Sequence, residues 1–342
     1  MNGRRWVLVI ADDLTGALEV GAKFAGQGIE ARVTTEIALC GPPETPVLAI
    51  DTETRHLGAG EARAVVRGAL ENALRFAPWL VYKKTDSTLR GNIAAEFRAF
   101  VDAMPGRTIV YAPCYAEMGR TVKHGRLFVD GVPVDQSAFG SDPLDPVRES
   151  DIGALVGDVP ALVLDGESSA DVLAAAHRIL AADPPAIAAG PAALAGALAE
   201  CLPDLGGAAP RVLPCIARCL VINGSLHPAS LEQIAFARTN GCFEGEWRYF
   251  ENEFAGGGIE RAKQAGDCVR RAIDAAPVDA LAVFGGDTAF GIHETLGGQP
   301  FEAWGEVLPG VPLSRSGNLF WITKAGGFGG PGVVCEIRRR LT

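Results

Sequence analysis

Short apolar runs that stop abruptly at charged or polar residues alternate with segments of helical period along this chain, and that alternation leaves few folds open. The first run, residues 6–11, ends at Asp12-Asp13. Leu14, Ala17, Leu18, Gly21, Ala22 and Ala25 then recur at helical spacing, and Gly28 stops the helix. Residues 47–50 read as a buried strand, and Ala62, Val65, Val66, Ala69, Leu70, Ala73 and Leu74 mark the next helix. Residues 79–82 and 108–111 are strands around a helix over 92–104, and 161–165 and 186–189 continue the series. Such alternation indicates α/β layers around a mainly parallel sheet. Segment 120–134 differs, because Asp130-Gly131 between short apolar runs signals a hairpin.

With 342 residues, about two domains are expected. Residues 203–214, rich in Gly and Pro, are the best linker, and the pattern restarts at 219–222. No run approaches the ~20 apolar residues of a membrane span, and the N-terminal apolar run is too short for a signal peptide, so the expected compartment is the cytoplasm. A net charge of −10 disfavours nucleic acid and anionic membrane as partners. The eight cysteines are scattered without a CxxC pair, so they read as free or buried thiols, and no protein metal site is expected.

In open α/β sheets, ligands bind beyond the carboxyl ends of the strands. Three strand ends carry polar residues: Asp12-Asp13; Asp51, Glu53 and Arg55; and Lys83, Lys84, Asp86, Ser87, Arg90 and Asn92. Each has a plainer reading as a helix cap or a solvated charge. Together, on one sheet, they form a mixed-charge crevice suited to a polyhydroxy acid: Arg and Lys hold a carboxylate, and Asp holds or orients a hydroxyl. Arg120 adds a further cation, and His124 reads as a turn residue. Farther along, INGSLHP at 222–228, VFGGDTAFGI at 283–292 and the glycine loop at 325–330 each follow a strand and precede a helix, as phosphate-binding turns do. Neither a GxxxxGK[ST] loop nor a GxGxxG after the first strand is present.

The ordered set IADDLTGA, DTETR, KKTDSTLRGN, GRTVKHGRLFVDGVPV, INGS, GGDTA, PGVPLSR and TKAGGFG resembles the four-carbon acid sugar kinase family. The resemblance implies two three-layer α/β/α domains with mainly parallel sheets and an active-site cleft between them. Residues 1–210 would bind the acid and 211–342 the nucleotide. It implies ATP and Mg²⁺ as cofactors, a threonate, erythronate or 3-oxo-tetronate substrate, and a homodimer as the assembly to test. Asp12, Asp13, Arg55, Lys84, Asp86, Ser87 and Arg90 would hold the acid. Ser225, Gly285, Gly286, Asp287, Thr288, Gly310, Lys324, Gly326, Gly327, Phe328 and Gly329 would hold ATP. Lys324 or Lys84 would offset phosphate charge, Asp86 or Asp12 would be the base, and the two sites would meet by closure about the linker. The rival readings are a hydroxy-acid dehydrogenase, which the missing GxGxxG disfavours, and a non-catalytic sugar-acid sensor.

Overall fold

A computed structural model of the chain describes residues 5–142, 145–207, 209–250 and 258–342. In chain order the first part contains β1 (Val7–Ala11), α1 (Leu14–Gly26), β2 (Ala31–Thr34), β3 (Val47–Asp51), α2 (Ala59–Leu74), β4 (Leu80–Lys84), α3 (Ile93–Ala103) and β5 (Ile109–Tyr111). The small strands β6 (Arg120–Lys123), β7 (Arg126–Val129) and β8 (Val132–Pro133) follow, then α4 (Ile152–Val156), β9 (Ala161–Val163), α5 (Ser169–Leu180), β10 (Ile187–Gly190) and α6 (Ala192–Glu200). The second part contains β11 (Cys219–Asn223), α7 (Pro228–Thr239), β12 (Trp247–Tyr249), α8 (Gly258–Ala275), β13 (Ala280–Phe284) and α9 (Gly286–Thr295). It ends with β14 (Phe301–Leu308), β15 (Val311–Ser316), β16 (Leu319–Lys324) and α10 (Val333–Leu341).

The strands of both parts form a continuous sheet in the order β12-β11-β13-β16-β15-β14-β2-β3-β1-β4-β10-β5-β9. The outer groups are parallel; β15 and β14 are antiparallel to their neighbours, and β14 pairs antiparallel with β2. β1, β3 and β4 lie side by side with Ala11 opposite both Asp51 and Lys84. Their apolar runs are buried on both faces, as central parallel strands must be. β11, β13 and β16 make a second such triplet, with Asn223 opposite Phe284 and Phe284 opposite Lys324.

Helix α1 lies over the junction of the two triplets. Asp13 caps it, accepting from Gly16 N at 3.0 Å. Gly21 lets it approach the β14–β2 seam: a Cβ there would lie 3.1 Å from both Ala303 Cβ and Val33 Cγ2. The linker, whose Ala208 lies outside the described residues, is tacked to β14, since Trp304 Nε1 donates to Val212 O at 2.9 Å. The acidic and glycine-rich loops border one cleft.

The expected Asp130-Gly131 turn joins β7 to β8, with φ of +49° and +82°. His124-Gly125, also at positive φ, makes a second turn between β6 and β7. One expectation is corrected: Cys242 and Cys335 form a disulfide that ties the end of α7 to α10. Their separation of 93 residues gives no local spacing signal. Among the described residues, no helix is long and apolar enough to cross a membrane.

Lys83 and Lys84 show how strand alternation sorts neighbouring charges. Lys83, fully buried, pairs with Glu96 of α3 at 2.7 Å, whereas Lys84 turns to the cleft. Removing one partner of a buried pair leaves the other charged and unpaired. Glu96→Ala should therefore lower unfolding free energy by about 3–5 kcal/mol in urea titration. A loss below about 1 kcal/mol, the scale of an exposed pair, would show that Lys83 finds water instead.

Candidate active site

The carboxyl ends of both strand triplets open into a cleft of about 400 Å³. On the first side, the β1–α1 turn supplies Asp13, Thr15 and Gly16, the β3 loop supplies Arg55 and His56, and the β4 loop supplies Lys84, Asp86, Ser87 and Arg90. These loops sit where the chain order reverses around β1, the place where open α/β sheets leave a crevice.

Arg55 braces this side. Its Nε donates to Asp12 Oδ2 at 2.8 Å and its Nη2 to Asp13 Oδ1 at 2.7 Å, while Asp86 Oδ1 lies 3.8 Å from Nη2. Asp86 also accepts from Arg90 Nε at 3.0 Å, Arg90 Nη2 at 2.7 Å, Thr88 N at 2.9 Å and the Thr88 hydroxyl. Burial opposes its ionisation, but Arg90 and Arg55 outweigh burial and hold the carboxyl well below the usual range. Asp12 is likewise buried and held low by Arg55, Lys83 and Lys84. Asp12 does not reach the cleft wall; it lies behind Arg55 and carries an unpartnered Oδ1.

Two cleft cations remain without a carboxylate within ion-pair distance among the described residues. Lys84 Nζ donates to Thr85 O at 2.9 Å and lies beside the first turn of α1. Arg120 is 6% exposed, sits over the rings of Phe139 and Phe328, and has a buried Nε with no partner. Burial holds its guanidinium below the ordinary value, although it cannot deprotonate in the physiological range. A buried cation that lacks an acid is a receptor for an anion.

The second side is built from glycine turns. Gly285 has φ +114°, and a Cβ there would come within 3.2 Å of Ser225 N. Gly286 opens α9 opposite the first turn of α1, where a Cβ would lie 3.2 Å from Asp13 Oδ2. Asp287 and Thr288 follow on the wall, and Asp287 lies 3.3 Å from His56 across the cleft. Gly310, at φ +72°, is packed by Met118 and Phe328. Gly326, Gly327 and Phe328 complete the wall; a Cβ on Gly327 would lie 3.3 Å from Phe139 Cζ and 3.4 Å from His227 Nε2.

Lys324 and Gly329 do not line the cleft. Lys324 is fully buried, and its Nζ donates to Ala325 O at 2.8 Å, Gly326 O at 3.2 Å and Phe328 O at 3.0 Å. Burial pushes its ammonium down to about 7. It ties back three carbonyls of the glycine loop and so acts behind the loop. Gln233 of α7 adds bonds to Phe328 O and Gly329 O at 2.9 and 2.7 Å.

The sequence did not point to Glu19, His56, Phe139 or Asp145, and it flagged the 222–228 turn without singling out His227; all five line the cleft. Glu19 carried a faint signal, as a lone acid inside the otherwise apolar start of a helix.

Residues 7–159 match the model of a sugar-binding N-terminal domain, and residues 246–333 that of a nucleotide-binding C-terminal domain. The chain is 30% identical to a D-threonate kinase of Cupriavidus necator, with 98% of each chain covered. It is 29% identical to a D-threonate kinase of Bordetella bronchiseptica, over 99% of this chain and 98% of that one. A solved structure from Salmonella typhimurium LT2 superposes with a TM-score of 0.79 over 99% of this chain and all of that one, at 20% identity. The chain belongs to the four-carbon acid sugar kinase family and is a phosphotransferase acting on a hydroxyl group of a sugar acid.

Proposed function

We propose that the chain transfers the γ-phosphoryl group of ATP to a hydroxyl of a four-carbon sugar acid, with D-threonate the first candidate. The observation that carries this reading is the cleft itself: one wall is a hydrogen-bonding acid and cation set, the other a set of glycine turns, and the two anion receptors lie between them. D-Threonate comes from the names of whole-length relatives.

In this reading residues 1–210 hold the acid and 211–342 the nucleotide. The carboxylate sits at Arg120 and Lys84, which have no carboxylate within ion-pair distance among the described residues. Arg55 and Arg90 keep Asp13 and Asp86 rigid, and these aspartates with Ser87 accept or donate to the hydroxyls. Asp12 supports Arg55 from behind. Backbone N–H groups around Ser225, Gly285, Gly286, Thr288, Gly310, Gly326 and Gly327 approach the phosphates, with the start of α9 favouring their charge. Asp13 and Asp287, near Gly286, are the carboxylates that would hold a Mg²⁺ ion accompanying the triphosphate, which would supply neutralisation of phosphate charge. Phosphoryl transfer then needs chiefly positioning and charge neutralisation from the protein.

A coupled ADP-release assay over D-threonate, D-erythronate and 3-oxo-tetronates should show little turnover with ATP alone and a large rise with one acid. ADP release that no acid stimulates would contradict the proposal. Arg120→Ala should raise KM for that acid by roughly 5- to 150-fold, the equivalent of about 1–3 kcal/mol for an unpaired charged group, and change KM for ATP much less. An equal effect on both substrates would assign Arg120 a structural role. Gly327→Val should push on Phe139 and His227 and weaken nucleotide binding in a calorimetric titration; unchanged affinity would remove this loop from the nucleotide site.

A further inference from the structure

The acids of the cleft differ in what already holds them. Asp13 serves the α1 cap and Arg55, Asp86 is bound by Arg90 and Thr88, and Asp287 faces His56. Arg90 and Arg55 hold the Asp86 carboxyl low against burial, and the His56 hydrogen bond holds that of Asp287 low, so both are weak proton acceptors. Asp12 is also paired and is absent from the cleft wall. Asp145 is the rival acceptor: it is half-buried on the segment after the small hairpin, its Oδ2 has no partner among the described residues, and burial raises its carboxyl against Arg90 and His56, but it stands on a loop rather than at the seam of the two walls.

Glu19 is different. It projects from α1, the helix that packs against β14, β15, β16 and α9 of the second part, and so stands at the seam where acid and nucleotide walls meet. It is 7% exposed and lines the cleft. Its Oε1 accepts from Tyr115 Oη at 3.0 Å, and no cation lies within ion-pair distance among the described residues. The groups facing it are Lys84 and Tyr82 of β4, Lys23 of its own helix, Glu306 of β14, and Tyr115 and Arg120 from the segment after β5. Lys23 is itself occupied by Glu306, at 2.9 Å.

We infer that Glu19 is the proton acceptor for the substrate hydroxyl that receives the phosphoryl group. The inference rests on the kinase reading above. The hydroxyl proton passes to the Glu19 carboxylate as the hydroxyl oxygen bonds to the γ-phosphorus. The bond from that phosphorus to the β–γ bridging oxygen breaks, and its electron pair leaves with ADP. The proton then returns to solvent as products depart. Tyr115 fixes the carboxylate through Oε1 and leaves Oε2 for the substrate. Burial, with Glu306 adding to it, pushes the carboxyl up to about 7 against the opposing pull of Lys84 and Lys23, so the group is poised to accept a proton near neutrality.

The test is the pH profile of kcat, from roughly pH 5.5 to 9, for the wild type, Glu19→Gln and Asp145→Asn, with whichever acid the wild type turns over. The wild type should gain activity as pH rises and level off above about 7, because only the ionised carboxylate accepts the proton. Glu19→Gln should lose roughly 10²-fold or more in kcat and the ionisation with it, while KM for ATP stays within about 3-fold. Asp145→Asn should keep the ionisation. A Glu19→Gln enzyme within about 10-fold of wild type, or one that retains the ionisation, overturns the inference alone. So does a wild-type profile with no ionisation near 7, whether or not the variant folds. A wild type that no four-carbon acid stimulates overturns the kinase reading and this inference with it.

Discussion

The antiparallel pairing of β14 with β2, with α1 laid across it, is the contact on which the site depends. It joins two parallel strand triplets into one sheet, so the loops beyond their carboxyl ends share a cleft. The close approach at Gly21 is what lets α1 cover this seam. Its first turn then carries Asp13 to Gly286, and its second carries Glu19 to the cleft wall. A helix that forms the core of one part thus supplies the surface on which the other part rests.

Charge is sorted inside this frame. Arg55 and Arg90 look like ligand-binding groups in isolation, but each already makes two charge-assisted hydrogen bonds, to Asp12 and Asp13 and to Asp86 respectively. They form a rigid lattice that fixes the loops. Such fixed groups cost little reorganisation when substrate arrives, which is how positioning contributes to rate. Lys84, Arg120, Glu19 and Asp145 keep spare capacity and can respond to a ligand. The same division appears on the glycine side, where Lys324 is spent on backbone carbonyls behind the loop.

Much of this was legible because apolar runs that end in polar residues mark the carboxyl ends of buried strands. Asp13, Lys84, Asp86 and the glycines at 285–286 and 326–327 were found that way. β14 and β15 were not, because FEAWGEVL mixes charges and aromatics with small residues and carries no clean period. Lys324 was expected to offset phosphate charge, since sequence shows that a lysine ends a strand but not which way its amine turns. Glu19 was missed because an acid in a helix ordinarily faces water, whereas α1 is buried on nearly every side. The Cys242–Cys335 pair unites residues far apart in sequence and leaves no local trace.

The most direct test of the shared cleft is a crystal structure with D-threonate and a non-hydrolysable ATP analogue bound together. The account predicts the carboxylate at Arg120 and Lys84, a substrate hydroxyl within hydrogen-bond reach of Glu19, and the γ-phosphate between Gly286 and Gly326. Acid and nucleotide bound in separate places, or a hydroxyl directed at Asp86 with Glu19 facing only Tyr115, would contradict it.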